Sequence, residues 1–201
     1  MRLRGRPGQR PGSKRAARCV RWRAVARVLI VGGGCRGRAL AQALVEEGNA
    51  VRITTRGEQG RAAIEAAGAE CWIGTPDRLA TLRGALENVT ILCWLLATAA
   101  GPPEELSALH GSRLEFFMTQ AIDTTVRGVV YEDAVAPIAG IASASAGSDT
   151  TSAMLAGGER IVRALSERNS IPTAFVTADP GDRDGWLADA RAAIASLLSR
   201  A

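Results

Sequence analysis

At 201 residues the chain can bury one substantial core and is short for two domains. A composition of 47% apolar and 22% charged residues excludes a disordered or fibrous polypeptide. The net charge of +5 is unevenly placed: residues 1–27 hold nine Arg and one Lys with no acid, whereas residues 28–201 hold 15 basic against 20 acidic side chains.

In chain order, MRLRGRPGQRPGSKRAARCVRWRAVA (1–26) reads as a disordered Arg-rich leader. It is alternatively a basic arm for nucleic acid, or upstream sequence preceding a natural start near Val20 or Val25. The acidic remainder argues against nucleic acid as a partner. No apolar stretch of signal-peptide length follows the charges, so a cytoplasmic location is expected.

Val28–Val31 is a short continuous apolar run, the mark of a strand covered on both faces. A helix is predicted over Cys35–Glu47, with Leu40, Ala43 and Leu44 inward and a stop at Gly48-Asn49. Val51–Thr54 reads as a strand, 58–67 as an Ala-rich helix and Glu70–Ile73 as a third strand. Thr75-Pro76 looks like a helix start with cap and N1 proline together, and Leu79, Leu82 and Leu86 follow at helical spacing.

The longest apolar run, VTILCWLLATAA (89–100), is too short to cross a bilayer and contains a fourth strand, Thr90–Leu96. No membrane span is therefore expected. One long helix is predicted through Leu106, Leu109, Leu114, Phe117 and Ile122, followed by a strand over Val126–Tyr131. Residues 134–150 read as a flexible loop, Ser152–Arg168 as a helix and Thr173–Thr177 as strand six. A last helix is capped by Asp182 or Asp184.

Such alternation implies an α/β, Rossmann-type doubly wound parallel sheet of about six strands, ordered 3-2-1-4-5-6, in a single domain over 27–201. Four scattered cysteines without a CxxC pair, and a single histidine, give no zinc site, and no metal is expected. Cys71, Trp72, Cys93 and Trp94 lie on strands and read as core.

Within VLIVGGGCRG, Gly32, Gly34 and Gly37 take GxGxxG spacing between a strand and a helix, the context a dinucleotide cradle needs. Gly32 permits a tight turn, Gly34 lets a pyrophosphate approach the backbone, and Gly37 allows close helix–strand packing. The helix N-terminus faces the diphosphate with its free amides. After the second strand stand Thr54, Thr55 and Arg56, where an NAD site would place an acid for the ribose 2′-hydroxyl. The missing acid, with Arg56 and a second arginine at Arg36, predicts NADP(H) in preference to NAD(H). Plain surface charge is the other reading of both arginines.

The segment VLIVGGGCRGRALAQALVEEGNAVRITTR, followed by GTPDRLATLRGALENVTILCWLLA, resembles the atypical short-chain dehydrogenase/reductases over residues 27 to about 100, and more loosely to 131. The resemblance implies an NAD(P)-binding protein. The pyrophosphate would lie on Gly32, Gly33, Gly34, Cys35, Arg36 and Gly37, and Thr55 and Arg56 would stand by the adenosine ribose. Gly74 and Thr75 would lie near the adenine, although many relatives carry Asp at the Thr75 position. Leu96, Ala97 and Thr98 would border the nicotinamide-side ribose.

The family's Tyr-x-x-x-Lys couple cannot be assembled. The only tyrosine, Tyr131, is followed by Val135 four residues on, and the only lysine, Lys14, is in the leader. Tyr131 ends a strand at the carboxyl edge and is the one catalytic candidate, with Ser143 and Ser145 as lesser ones. His110 reads as an ordinary surface or core residue, Arg113 and Glu115 as a solvated helix face, and Cys35 as a thiol at a helix N-terminus. Two functions fit: an NADP(H)-dependent oxidoreductase passing hydride to a small carbonyl, quinone or flavin-like acceptor, or a non-catalytic NADP(H)-binding sensor.

Overall fold

The computed structural model describes residues 26–134 and 145–200. The leader, Ser143 and most of the 134–150 loop lie outside the described residues. Six strands, β1 (Arg27–Val31), β2 (Ala50–Thr55), β3 (Glu70–Ile73), β4 (Ile91–Trp94), β5 (Gly128–Glu132) and β6 (Thr173–Val176), form one sheet ordered β3-β2-β1-β4-β5-β6. Every pairing is parallel, with Val28 against both Val51 and Ile91 in the register of the central strand.

The unbroken apolar run of β1 is explained by its two coverings. Val28 and Ile30 point to one core with α1 (Cys35–Glu46), α2 (Arg61–Ala66) and α6 (Arg183–Leu198). Leu29 and Val31 point to the other, with α4 (Ser112–Ile122) and α5 (Ser145–Asn169). All four side chains are fully buried, each stabilising the fold by roughly 1.5–3 kcal/mol. Asp182 caps α6 by accepting from the Gly185 amide. No helix among the described residues is long and apolar enough to cross a membrane.

Two predicted helices take other forms. The stretch expected to be helical after Thr75-Pro76 is a turn followed by two short 3-10 segments, Leu79–Thr81 and Arg83–Leu86. Long-range bonds explain it: Trp72 Nε1 donates to the Thr81 carbonyl at 2.7 Å, and Arg52 Nη1 donates to the carbonyls of Ala85 at 2.6 Å and Glu87 at 3.3 Å. The carbonyls are thus held by side chains of β2 and β3, while Leu82 and Leu86 still reach the core. Trp72 is only partly buried, its ring under the Arg52 guanidinium, whereas Trp94 is fully buried as expected. The long helix expected across 106–122 is two, α3 (Pro103–His110) and α4, broken at Gly111 with φ −116 and ψ −110.

Candidate functional site

A cleft of about 570 Å³ crosses the carboxyl ends of β1, β2 and β4. Ligands bind at this edge of doubly wound sheets, where the strand order reverses. The glycine turn forms its floor. Gly32 has φ 133, and a Cβ there would strike the Leu95 carbonyl; a Cβ on Gly37 would strike the carbonyl of Gly32. Packing within the polypeptide therefore accounts for both. Gly34 differs: a Cβ built on it meets nothing within 4 Å. No neighbouring atom in the protein needs that position bare, and Gly34 lines the cleft.

Gly34 is also the N-cap of α1, with no side-chain cap and no acid in the first turn. The first-turn amides are left to whatever occupies the cleft, and the helix end favours an anion. An uncapped helix end beside a bare glycine fits a diphosphate.

The predicted residues fall around this floor unevenly. Gly32, Gly33, Gly34, Cys35, Arg36, Gly37, Thr55, Arg56, Gly74, Leu96 and Thr98 line the cleft, and Thr75 and Ala97 do not. The Ala97 amide is taken, donating to Glu132 Oε2 at 3.0 Å. Thr75 closes a turn, its hydroxyl donating to Asp77 Oδ2 at 3.0 Å. Arg56 is 73% exposed, its Nε 3.9 Å from Asp77.

Arg36 does not reach out as a free phosphate contact. Its guanidinium pairs with Glu132 Oε1 at 3.1 Å and donates to the Pro180 carbonyl at 3.1 Å and the Thr98 hydroxyl at 2.5 Å. It also lies 5.0 Å from the centre of the Trp186 ring. Glu132 is fully buried and accepts from Trp186 Nε1 at 2.8 Å as well. Burial pushes its carboxyl up, against the opposing pull of Arg36 and the bonds from Ala97 and Trp186. This group ties the glycine turn to the end of β5, the loop after β4 and the start of α6.

No protein-family model matches the sequence, and no curated protein does. Solved structures match the fold. A short-chain dehydrogenase from Streptomyces avermitilis superposes with a TM-score of 0.60 at 17% identity, over 77% of this chain and 64% of its own. The triphenylmethane reductase of a Citrobacter species gives 0.55 at 18%, over 75% and 48%. The UDP-glucuronic acid 4-epimerase of Bacillus cereus, solved in complex with NAD, gives 0.56 at 14%, over 75% and 55%. The chain has a Rossmann-type doubly wound fold, as these structures do. It spans about half the length of most of the structures it matches.

Tyr131 is not at the cleft, where a proton relay would stand. It is fully buried, and burial, with the charges of Asp133, Glu132 and Glu159, pushes its phenol well above the ordinary range. Its hydroxyl lies 2.7 Å from His110 Nδ1 and 3.3 Å from the Leu155 carbonyl. His110 Nε2 is 3.3 Å from the Leu96 carbonyl. Both carbonyls only accept: the Nε2–H tautomer donates to Leu96 and takes the phenol proton at Nδ1, whereas the Nδ1–H tautomer leaves the phenol to donate to Leu155. The ring is buried, and that burial lowers its pKa from 6.5 to about 4. The pair braces the loop after β4 from behind.

Residue-by-residue reading missed Glu132, Trp186, Asp77 and the role of Arg113. Arg113 is not on a solvated face: its side chain is 25% exposed and bonds Asp77 at 2.7 Å. A carboxylate closing an otherwise apolar strand, GVVYE, was the available signal for Glu132.

Proposed function

We propose that the chain is an NADP(H)-dependent oxidoreductase that passes hydride to a small carbonyl, quinone or flavin-like acceptor. The observation that carries the reading is Gly34: a bare position over the uncapped start of α1, which the protein's own packing does not require. The solved neighbours agree in class, being dehydrogenases, reductases and epimerases.

The nicotinamide coenzyme supplies the hydride chemistry when bound. The chain's residues bind and orient. The first-turn amides of α1 hold the diphosphate. Arg56, largely exposed and only loosely held by Asp77, offers its charge to a 2′-phosphate at the place where an NAD site presents an acid. Leu96 and Thr98 border the reactive end, their loop fixed through Glu132 and His110. A quinone or flavin-like acceptor needs no protein proton donor, which suits a site whose only tyrosine is occluded.

The same occlusion of Tyr131, with no lysine outside the leader, favours a second reading: a sensor that holds NADP(H) without turnover. Purified protein mixed with NADPH and a panel of quinones, flavins and aldehydes separates the two. Steady oxidation of NADPH supports the enzyme, and tight binding without turnover supports the sensor. An NADPH-to-NADH affinity ratio unchanged by Arg56→Ala removes the NADP(H) assignment.

A further inference from the structure

At one end of the cleft two guanidinium groups meet a single carboxylate. Arg113, second residue of α4, donates from Nη1 to Asp77 Oδ1 at 2.7 Å. Arg56, just beyond β2, stands with Nε 3.9 Å from Asp77 Oδ2, which already accepts the Thr75 hydroxyl. All three residues line the cleft, and they come from three separate segments: the end of β2, the turn after β3 and the start of α4. Among the described residues no other carboxylate lies within ion-pair distance of either arginine. One anion between two cations leaves a positive charge uncompensated, facing the space where the adenosine end of a dinucleotide would lie.

We propose that Arg113 is a second specificity-determining residue for the 2′-phosphate of NADP(H), and that Asp77 is an internal anion holding Arg113 and Arg56 ready for it. The inference rests on the NADP(H) reading above. A phosphate monoester near neutral pH carries more charge than a carboxylate and has three acceptor oxygens against two. It therefore takes both guanidinium groups from Asp77, which keeps its bond to Thr75. A ribose hydroxyl brings no charge, so with NAD(H) both arginines stay on Asp77. Side-chain exposures of 25% for Arg113 and 40% for Asp77 make their pair one that an entering ligand can exchange.

The test is titration calorimetry of the whole chain with NADPH and with NADH, at one fixed salt concentration. Arg113→Ala is expected to weaken NADPH about tenfold, the effect of one charge-assisted bond, and to leave NADH within about twofold. Asp77→Asn is expected to tighten NADPH about threefold, because the phosphate no longer competes with a half-exposed ion pair. Should Arg113→Ala fail to fold, Arg113→Lys keeps the charge but not the fork and is expected to show a smaller loss of the same kind. Equal weakening of NADPH and NADH by Arg113→Ala marks a merely structural residue and overturns the inference. So does an unchanged ratio in both variants while Arg56→Ala abolishes the preference, a result that leaves the NADP(H) reading standing. A wild-type protein without preference for NADPH removes that reading and this inference together.

Discussion

The chain has one histidine, so any imidazole contribution to stability against pH comes from a single ring. Burial holds His110 near a pKa of about 4 in the folded protein, against 6.5 for an exposed ring. Between these values the unfolded chain binds a proton that the folded chain refuses, so stability falls as pH drops from about 6.5 toward 4. Integrating the proton-binding difference gives a loss of about 2 kcal/mol at pH 5 relative to pH 8. The buried carboxyls of Glu132 and Asp133 act in the opposite sense. Burial raises both, so the folded state takes up their protons first, and their contribution to stability grows as pH falls through their raised pKa values. The clean quantity is therefore the difference between wild type and His110→Gln, which cannot be protonated and can still donate to the Leu96 carbonyl. Urea unfolding of both proteins at pH 8 and pH 5 measures it. Wild type should lose about 2 kcal/mol more than the variant across that interval. Parallel losses would refute the argument that this ring is held neutral by burial.

Gly34→Ala should change stability by less than about 1 kcal/mol, since its Cβ enters open space, yet weaken dinucleotide binding at least about tenfold. Gly37→Ala should instead destabilise the fold by about 1–3 kcal/mol or more, because its Cβ strikes the Gly32 carbonyl; melting and calorimetry on the two variants separate these effects. Glu132→Ala leaves the Ala97 amide and Trp186 Nε1 without an acceptor and strips Arg36 of its buried counter-charge. A cost of about 3–5 kcal/mol in denaturant unfolding is expected, with less than about 1 contradicting the assigned role. Cys35 is exposed within the cleft while Cys93 is buried, its thiol pushed far up by that burial. Peptide mapping after a thiol-alkylating reagent should show Cys35 modified long before Cys93, and NADPH should slow the reaction at Cys35.

The strand order and the glycine turn between β1 and α1 were legible because their causes are local. Val28–Val31 had to be covered on both faces, and Gly32, Gly34 and Gly37 stand at fixed spacing between a strand and a helix. Leu79, Leu82 and Leu86 misled because their spacing suits an α-helix and short 3-10 turns alike, and the choice was made by Arg52 and Trp72 from other strands. Gly111 lay inside a periodic apolar pattern that two successive helices continue. Arg36 was readable as a phosphate ligand only while its partners were unknown. Those partners, Thr98, Glu132, Pro180 and Trp186, are distant in sequence, and no spacing rule reaches that far. The burial of Tyr131 is likewise a tertiary fact, set by His110 and α5.

The reach of Arg36 to the Pro180 carbonyl, 144 positions along the chain, bears on how the protein is born. A polypeptide emerging from the ribosome can pair its first strands early, because those contacts are close in sequence. The glycine turn lacks these tethers until Pro180 and Trp186 have been synthesised and docked. On the proposed function, a nascent chain stalled before residue 180 should hold a dinucleotide poorly even with its glycines in place.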